Sequence, residues 1–282
     1  MNGRAAARPL AILCGAGAFP VAVAAEARRI GREPFLIGVV GTTDTPIEAF
    51  SHVWLRMGEV GKLFAALKER GVAEIVMVGA ITRPELADLR LDWGAVKRAA
   101  GLAQLFRRGD NGLLVGLAEI FEREGVRIVG AHEVAPDLAA PRGPVGSRPI
   151  APDDWEDIAF GARLLDALSE FDAGQGAVVA AGRVLAIEAA EGTDAMLARV
   201  AELRASGRLR LKGPAGVLVK APKRGQDLRL DMPAVGPRTI EGATKAQLEG
   251  VALAAGRVLV IERERCASLA DAAGLFVGGF AA

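Results

Sequence analysis

The chain has 282 residues, 51% of them hydrophobic, which predicts one large folded domain or two ordinary ones and excludes an extensively disordered protein. The net charge of +1 gives no electrostatic basis for nucleic-acid binding. Aromatic residues make up only 5% of the chain and Tyr is absent, which argues against a base-stacking surface. The two cysteines, Cys14 and Cys266, form no CxxC motif, so no disulfide framework or cysteine zinc site is indicated, and a reducing, cytoplasmic setting is expected.

The first half of the chain alternates apolar runs with amphipathic stretches. Strands are predicted at "PLAILC", "PFLIGVV", "AEIVMVGA" and "VRIVGA", and helices at "FPVAVAAEARRIG", "VGKLFAALKERG" and "GDNGLLVGLAEIFEREG". The first strand ends too soon for a signal-peptide core, and no apolar run approaches the roughly 20 residues of a membrane span. Strands alternating with helices are typical of a parallel sheet, so we expect an N-terminal Rossmann-like domain.

A proline-rich stretch, "APDLAAPRGPVGSRPIAPDD", follows and is predicted to link two domains. The second half is also of the α/β type. Strands are expected in "GAVVAAGRVLAIEAA", around an Ala-Gly turn, and at "AGVLVKA" and "RVLVIER", and helices at "WEDIAFGARLLDALSEF" and "TKAQLEGVALAAG". The predicted fold class is therefore α/β with two domains: an N-terminal Rossmann-like domain over residues 1–143 and a C-terminal α/β domain over residues 144–282, to which the candidate catalytic residues below belong.

A glycine-rich turn, "CGAGAFP", follows the first predicted strand. Gly15 and Gly17 match the first two positions of the dinucleotide fingerprint GxGxxG, but Pro20 occupies the third. No acid ends the second strand to bind a ribose, so NAD binding is disfavoured. Two interpretations stay open: Gly15, Ala16 and Gly17 cradle a phosphate or sugar phosphate, or the turn only connects two elements.

Two further loops of the first half carry candidate binding residues. Thr82 and Arg83, in "ITRP", follow the third predicted strand, where ligands bind in open α/β sheets. Asp110 and Asn111, in "RRGDNGLL", precede a helix and could face a ligand hydroxyl or a metal. The alternatives are a solvated arginine in the first loop and a helix N-cap at Asp110 in the second.

Three acids cluster in "VLAIEAAEGTDAML", where a strand passes into a helix. Glu188 ends the apolar strand, and carboxylates are rarely buried there unless they are paired or metal-bound. Glu191 and Asp194 follow at intervals of three residues. Gly192 indicates a loop, with Thr193 or Asp194 as the cap of the next helix, so part of this acidity is explained by structure alone.

A basic stretch, "KAPKRGQDLRLDMPAVGP", begins about 30 residues later. A predicted strand end delivers Lys220, Lys223 lies three residues on, and Asp227 falls in "DLRLD", whose alternation predicts a half-buried strand. Acids that hold Mg²⁺ beside cations that hold phosphate are what phosphoryl chemistry needs. A solvated loop of mixed charge is the alternative. With only two histidines and no P-loop, GxSxG or HExxH motif, a metal site would be rich in oxygen ligands and suit Mg²⁺ or Mn²⁺.

Motifs along nearly the whole chain resemble one bacterial family. They are "ILCGAGAFP", "GAITRPEL", "RRGDNGLL", "DAGQGAVV", "VLAIEAAEGTDAML", "GVLVKAPKRGQDLRLDMPAVGPRTIEGA" and "GLFVGGF". The family is the UDP-2,3-diacylglucosamine pyrophosphatase of lipid A biosynthesis that is unrelated to the calcineurin-like enzymes. The chain departs from its pattern in "CGAG", where one more Gly is expected, and in "GDNG" in place of "GDDA". Neither departure removes a group assigned to the chemistry.

The resemblance implies metal-assisted attack of water on the α-phosphorus of UDP-2,3-diacylglucosamine, with Mg²⁺ or Mn²⁺ as cofactor. The products would be UMP and 2,3-diacylglucosamine 1-phosphate (lipid X). It further implies two α/β domains with the substrate cleft between them, a homodimer, and a cytoplasmic enzyme that associates peripherally with the inner membrane. A lipid-sugar nucleotide is the expected partner, and nucleic acid is not.

The residues support definite roles within that activity. Asp227 is the first choice for a metal-binding catalytic carboxylate, with Glu191 and Asp194 next and Glu188 behind them. Lys220 and Lys223 would neutralise the diphosphate. The predicted substrate-binding residues are Gly15, Ala16, Gly17, Thr82, Arg83, Asp110 and Asn111, with Gln175 and Gln226 hydrogen-bonding sugar or uracil.

Two other classes of function stay open. One is a non-catalytic protein that binds a nucleotide sugar or lipid, in which the acids only cap helices and pair with the basic loop. The other is an NAD-linked or glycosyl-transferring α/β enzyme, against which the incomplete GxGxxG pattern argues.

Overall fold

A computed structural model of the chain describes residues 9–80 and 110–281, with the backbone alone described over residues 110–114. The chain forms two compact units. Unit 1 comprises Met1–Pro136 with Arg229–Asp231, and unit 2 comprises Asp137–Leu228 with Met232–Ala282. None of the helices within the described ranges combines the length and the apolar character needed to cross a bilayer.

Unit 1 contains a five-stranded parallel sheet with the strand order β3-β2-β1-β4-β5, which matches five of the six positions of the Rossmann order 3-2-1-4-5-6. Every residue of β1, β2 and β4 is buried, which explains why these strands read as continuous apolar runs. The strands are β1 (Leu10–Cys14), β2 (Pro34–Val39), β3 (Ser51–Leu55), β4 (Glu74–Val78) and β5 (Arg127–Ile128), and the described helices are α1 (Phe19–Arg29), α2 (Val60–Glu69), α3 (Asp110–Arg123) and α4 (Ala131–Val134).

Strand β3 is absent from the sequence-based prediction. It lies at the edge of the sheet, and only Leu55 of its five residues is buried. An edge strand that is open to solvent lacks the apolar run of a central strand. The segment "SHVWL" therefore carried little signal.

Unit 2 is built on a six-stranded mixed sheet with the order β6-β13-β11-β9-β7-β8. Strands β9, β11 and β13 are parallel, whereas β7 runs antiparallel to both of its neighbours. A parallel pair, β10 and β12, lies apart from this sheet. The elements are β6 (Gly143–Pro144), α5 (Asp154–Leu168), β7 (Gly176–Ala180), β8 (Arg183–Ile187), α6 (Gly192–Ala205), β9 (Val217–Lys220), β10 (Ala234–Val235), α7 (Pro237–Lys245), β11 (Gly250–Ala254), β12 (Leu259–Val260), α8 (Arg263–Ala273) and β13 (Phe276–Phe280), with 3-10 turns at Pro136–Leu138 and Ser169–Phe171.

The predicted Ala-Gly turn between β7 and β8 is present. Ala181 and Gly182 both have positive φ values, 49° and 70°, as a tight hairpin turn requires. The buried carboxylate of Asp157, on α5, accepts the backbone N–H groups of both turn residues at 2.8 and 2.7 Å. One side chain thus attaches the hairpin to the helix that covers the sheet.

The prediction of a helix over "TKAQLEGVALAAG" is wrong beyond its first two residues. Helix α7 ends at Lys245, and Gly250–Ala254 form β11, a central strand buried at every residue. A strand buried on both faces shows no alternation, so its pattern cannot be told from that of a buried helix. Gly250 is the residue of this segment that close packing requires, because a Cβ there would lie 2.4 Å from the Phe276 ring.

The prediction of a strand at "DLRLD" is also wrong. Residues 228–230 form a turn and pair with no strand of the described chain. Leu230 is buried in the core of unit 1, while Arg229 is exposed. A single anchoring leucine with polar neighbours produced an alternation that resembled a strand.

Candidate active site

One edge of the unit 2 sheet gathers most of the predicted site residues. Because β7 runs antiparallel to β8 and β9, its first residue lies at the edge where those two strands end. The Glu188 N–H donates to the Gly176 carbonyl at 2.9 Å, and the Ala221 N–H donates to the Gln175 carbonyl at 3.0 Å. The structure therefore brings the loops that carry Gln175, Glu188 and Lys220 together.

A buried cluster of Glu188, Thr193 and Lys220 forms at this edge. Lys220 Nζ donates to Thr193 Oγ1 at 2.7 Å and lies 3.3 Å from Glu188 Oε2. Thr193 Oγ1 in turn donates to Glu188 Oε1 at 2.7 Å. The Lys220 and Glu188 side chains are only 4% and 12% exposed. Each charge is compensated by its partner, as burial of charged groups demands.

Two glycines make room for Glu188. A Cβ on Gly174 would lie 2.3 Å from the Glu188 carbonyl oxygen, and one on Gly176 would lie 2.6 Å from Glu188 Oε2. Gly174 also has a φ of +64°, which side chains rarely adopt. The "GQG" motif is thus explained by packing against the acid, with Gln175 delivered between the two glycines.

Helix α6 begins at this edge with Glu191 as its N-cap. The prediction that Thr193 or Asp194 caps the helix is wrong: both lie inside its first turn, and Thr193 instead joins the buried cluster. Glu191 pairs with Arg199 at 3.1 Å, and Asp194 pairs with Arg238. The positive end of the helix dipole also favours Asp194 in this position.

The loop after β9 carries Lys223, Gln226 and Asp227. The Gln226 side chain accepts the Lys223 N–H at 2.8 Å, and the Gln226 N–H donates back to the Lys223 carbonyl at 3.2 Å. Lys223 Nζ donates to the carbonyl and the carboxylate of Asp172 at 3.0 and 2.5 Å. Asp227 follows directly and is half-buried. Gln226 therefore orders the loop that holds Lys223 and Asp227.

An exposed ion pair anchors the same loop to helix α5. The Arg224 guanidinium bonds both carboxylate oxygens of Asp166, and the Arg224 N–H donates to Ser169 Oγ at 2.9 Å. The hydrogen bond from Arg224 holds the pKa of the Asp166 carboxyl below its usual range. The bidentate contact fixes the loop geometrically even though water screens its charge.

The predicted metal ligands do not form a dedicated cage. Within residues 9–80 and 110–281, no group of three or more His, Cys, Asp or Glu residues could hold a metal ion. Both oxygens of Glu188 accept hydrogen bonds in the buried cluster, and Glu191 and Asp194 each face an arginine. Mg²⁺ does not need a dedicated protein cage, because it usually takes one or two protein carboxylates and completes its shell with phosphate and water. The assignment of Glu188, Glu191, Asp194 and Asp227 as ligands stays a prediction.

The glycine-rich turn of unit 1 already uses its backbone donors. Gly15 packs so closely that a Cβ there would lie 2.5 Å from the Gly79 carbonyl carbon. A phosphate at this turn would have to displace Asp44, and the binding role of the turn stays a prediction. The N–H groups of Gly15, Ala16 and Gly17 donate to the carbonyls of Val78 and Ala80, both at 2.7 Å, and to the Asp44 carboxylate at 2.6 Å.

Four predicted binding residues lie wholly or partly beyond what the structure describes. Thr82 and Arg83 are outside the described residues. Asp110 is the first residue of α3 and Asn111 the second, and their side chains are not described. Their predicted roles are neither supported nor opposed by the geometry.

Comparison with known proteins identifies the family. Two family descriptions match, "LpxI N-terminal domain" over residues 9–138 and "LpxI C-terminal domain" over residues 141–278. The chain belongs to the LpxI family. It is 39% identical over 272 residues to "UDP-2,3-diacylglucosamine pyrophosphatase LpxI" of Caulobacter vibrioides, covering 96% of this chain and 97% of that one. The resemblance indicated by the sequence motifs and the predicted two-domain α/β class are confirmed.

Sequence reasoning missed three residues of this candidate site. Thr193 was considered only as a cap, although its hydroxyl links the acid and the lysine. Asp172, which holds Lys223, and Arg238, which holds Asp194, were not singled out. The usable signal for Thr193 was its place beside an unexplained acid, whereas the other two pairs depend on tertiary proximity.

Proposed function

We propose that this chain hydrolyses the diphosphate of UDP-2,3-diacylglucosamine in lipid A biosynthesis, giving UMP and 2,3-diacylglucosamine 1-phosphate. The observation that carries the proposal is 39% identity along 96% of the chain to a relative named as the pyrophosphatase of that compound. The charged edge of unit 2 supplies acids and lysines suited to phosphoryl chemistry.

The reaction proposed is a displacement at the α-phosphorus. The oxygen of water forms a bond to that phosphorus, the bond from it to the bridging oxygen breaks, and the bridging oxygen leaves with the sugar 1-phosphate. Asp227 is assigned to orient the attacking water and receive its proton. Lys220, fixed in the buried cluster, and Lys223, held by Asp172, supply positive charge that needs no reorganisation as charge develops.

A divalent cation, Mg²⁺ or Mn²⁺, is part of the proposal. Asp227 would hold it, with Asp194 and Glu191 as further oxygen donors. When bound, such an ion neutralises diphosphate charge and lowers the pKa of the attacking water. Asp194 and Glu191 would exchange their arginine partners for it, which is feasible because both side chains are partly exposed.

The substrate also suggests where the protein acts. A diacylated sugar nucleotide resides at a membrane surface, so we assign this chain a cytoplasmic location with peripheral attachment to the inner membrane. A homodimer is the assembly proposed from the family resemblance.

Hydrolysis in ¹⁸O-labelled water tests the function and the position of attack together. We expect UMP release from UDP-2,3-diacylglucosamine, with the label in UMP, because the attacked phosphorus remains with uridine. Label in the lipid phosphate would mean attack at the β-phosphorus. Substrate binding without any UMP release would contradict the enzyme and favour a non-catalytic binding protein.

Removal of divalent cations should stop turnover. We expect UMP release to fall to background in excess EDTA and to return on addition of Mg²⁺, because without the cation the two assigned lysines alone would have to balance the negative charge of the diphosphate. The UMP released is measured by chromatography. Full activity after exhaustive chelation would contradict the metal mechanism and leave the hydrolase assignment in place.

A further inference from the structure

The opposite edge of the unit 2 sheet holds a cavity of about 270 Å³. The β7–β8 hairpin forms one wall, and the segment that follows α6 forms the other. This edge carries the hairpin turn, whereas the candidate active site lies where β8 and β9 end. Three arginines and three leucines are prominent in the lining: Arg183, Arg208, Arg210, Leu185, Leu209 and Leu211.

The three arginines of this cavity differ from those at the active-site edge. Arg183, Arg208 and Arg210 are exposed, and within the part of the chain that the structure describes no carboxylate pairs with any of them. Arg199 and Arg238, by contrast, are each matched to an acid. Three guanidinium groups around one cavity without a counter-charge produce a strongly positive surface that attracts anions.

The surrounding segment reinforces that charge. Residues 204–212, "RASGRLRLK", contain four Arg or Lys and no acid. Arg204 is used internally, because it donates to the carbonyls of Gly213 and Ala215. Lys212 is exposed and adds to the charge beside the cavity.

The apolar part of the lining narrows the class of ligand. Leu209 is buried, and Leu185 and Leu211 are half-buried. A site for a small inorganic anion has no use for leucines, and a site for single-stranded nucleic acid needs aromatic rings, which this lining lacks. A lining that combines arginines with leucines matches an amphiphilic ligand, in which a phosphate group is followed by a glycerol and acyl chains.

We propose that this cavity binds the phosphate head group of an anionic membrane lipid and is the surface by which the protein docks on the bilayer. The volume suits a head group and the adjoining glycerol rather than a whole lipid. The inference rests on the proposed function in one respect, namely that a lipid substrate brings the protein to a membrane. It adds a second lipid site, apart from the one where hydrolysis is assigned.

Vesicle sedimentation tests the site directly. The full chain is expected to sediment with phosphatidylglycerol–phosphatidylcholine vesicles and not with phosphatidylcholine alone. The triple variant R183Q/R208Q/R210Q should lose about fivefold in partition coefficient per arginine, or roughly a hundredfold in all. Its turnover of detergent-dispersed substrate should stay near that of the wild type, because none of the three residues belongs to the active-site edge.

A control variant that removes the same number of positive charges elsewhere distinguishes a specific lipid site from a general effect of net charge. Arg142, Lys245 and Arg265 are exposed residues of the same unit outside this cavity, so R142Q/K245Q/R265Q should retain most of the binding. An equal loss in both variants, or failure of the wild type to bind anionic vesicles, would overturn the lipid site. Binding of inorganic phosphate without vesicle binding would overturn it in favour of a free-anion site. Vesicle binding without hydrolysis would instead contradict the proposed function alone.

Discussion

Replacing Lys220 with Met is expected to lower the free energy of unfolding of the unit 2 sheet by about 3–5 kcal/mol. The variant leaves the Glu188 carboxylate, whose side chain is only 12% exposed, without its cation. An unpaired buried charge is far more costly than the pair it came from. Hydrogen exchange of the β7 and β9 backbone amides reports this quantity for the strands that carry the cluster.

Two further variants separate charge pairing from general damage. Lys223→Met is the matched control, because Lys223 pairs with the half-exposed Asp172, so its loss should cost only about 0–1 kcal/mol. The double variant K220M/E188Q removes both charges and should recover much of the lost stability. If K220M were as stable as K223M, the buried pair would contribute no more to the free energy of unfolding than the exposed one, which would contradict the prediction.

Asp227→Asn is expected to reduce the turnover number for UMP release by about 100- to 1,000-fold, with the fold and the substrate affinity largely kept. The amide preserves the shape of the side chain and removes the charge that is assigned to orient water and bind the cation. Single-turnover UMP release, measured with titration of substrate binding, separates the chemical step from affinity.

Asp166→Asn is the control for this experiment. Asp166 anchors the same loop through Arg224 but is exposed and has no assigned chemical role, so its loss should change turnover by only a few-fold. Near-normal turnover in D227N would remove Asp227 from the mechanism. An equal loss in both variants would indicate that loop order, rather than the Asp227 charge, controls turnover.

The fold was predicted best from the sequence at the fully buried central strands of unit 1. Strands β1, β2 and β4 were found because, apart from Glu74 at the start of β4, their residues form continuous apolar runs. Strand β11 was mistaken for a helix because its burial on both faces hides any period. The edge strand β3 and the turn at residues 228–230 depend on tertiary position, which local pattern does not contain.

The candidate site shows the same division. Glu188 could be singled out because a carboxylate ending an apolar strand needs a partner. Its partner Lys220 lies 32 residues away, and the two meet only because β7 pairs antiparallel with both β8 and β9. The Asp44 carboxylate at the glycine-rich turn of unit 1 could not be foreseen, because its contact with Gly17 spans 27 residues of chain.

The hairpin turn held by Asp157 bears on how tightly the arginine cavity could bind. Arg183 directly follows the two turn residues whose N–H groups Asp157 accepts, so its backbone is immobilised before any ligand arrives. Ordering a loop on association opposes affinity through lost conformational entropy. A cavity wall that helix α5 already holds in place avoids that loss, leaving only the guanidinium side chain to be ordered.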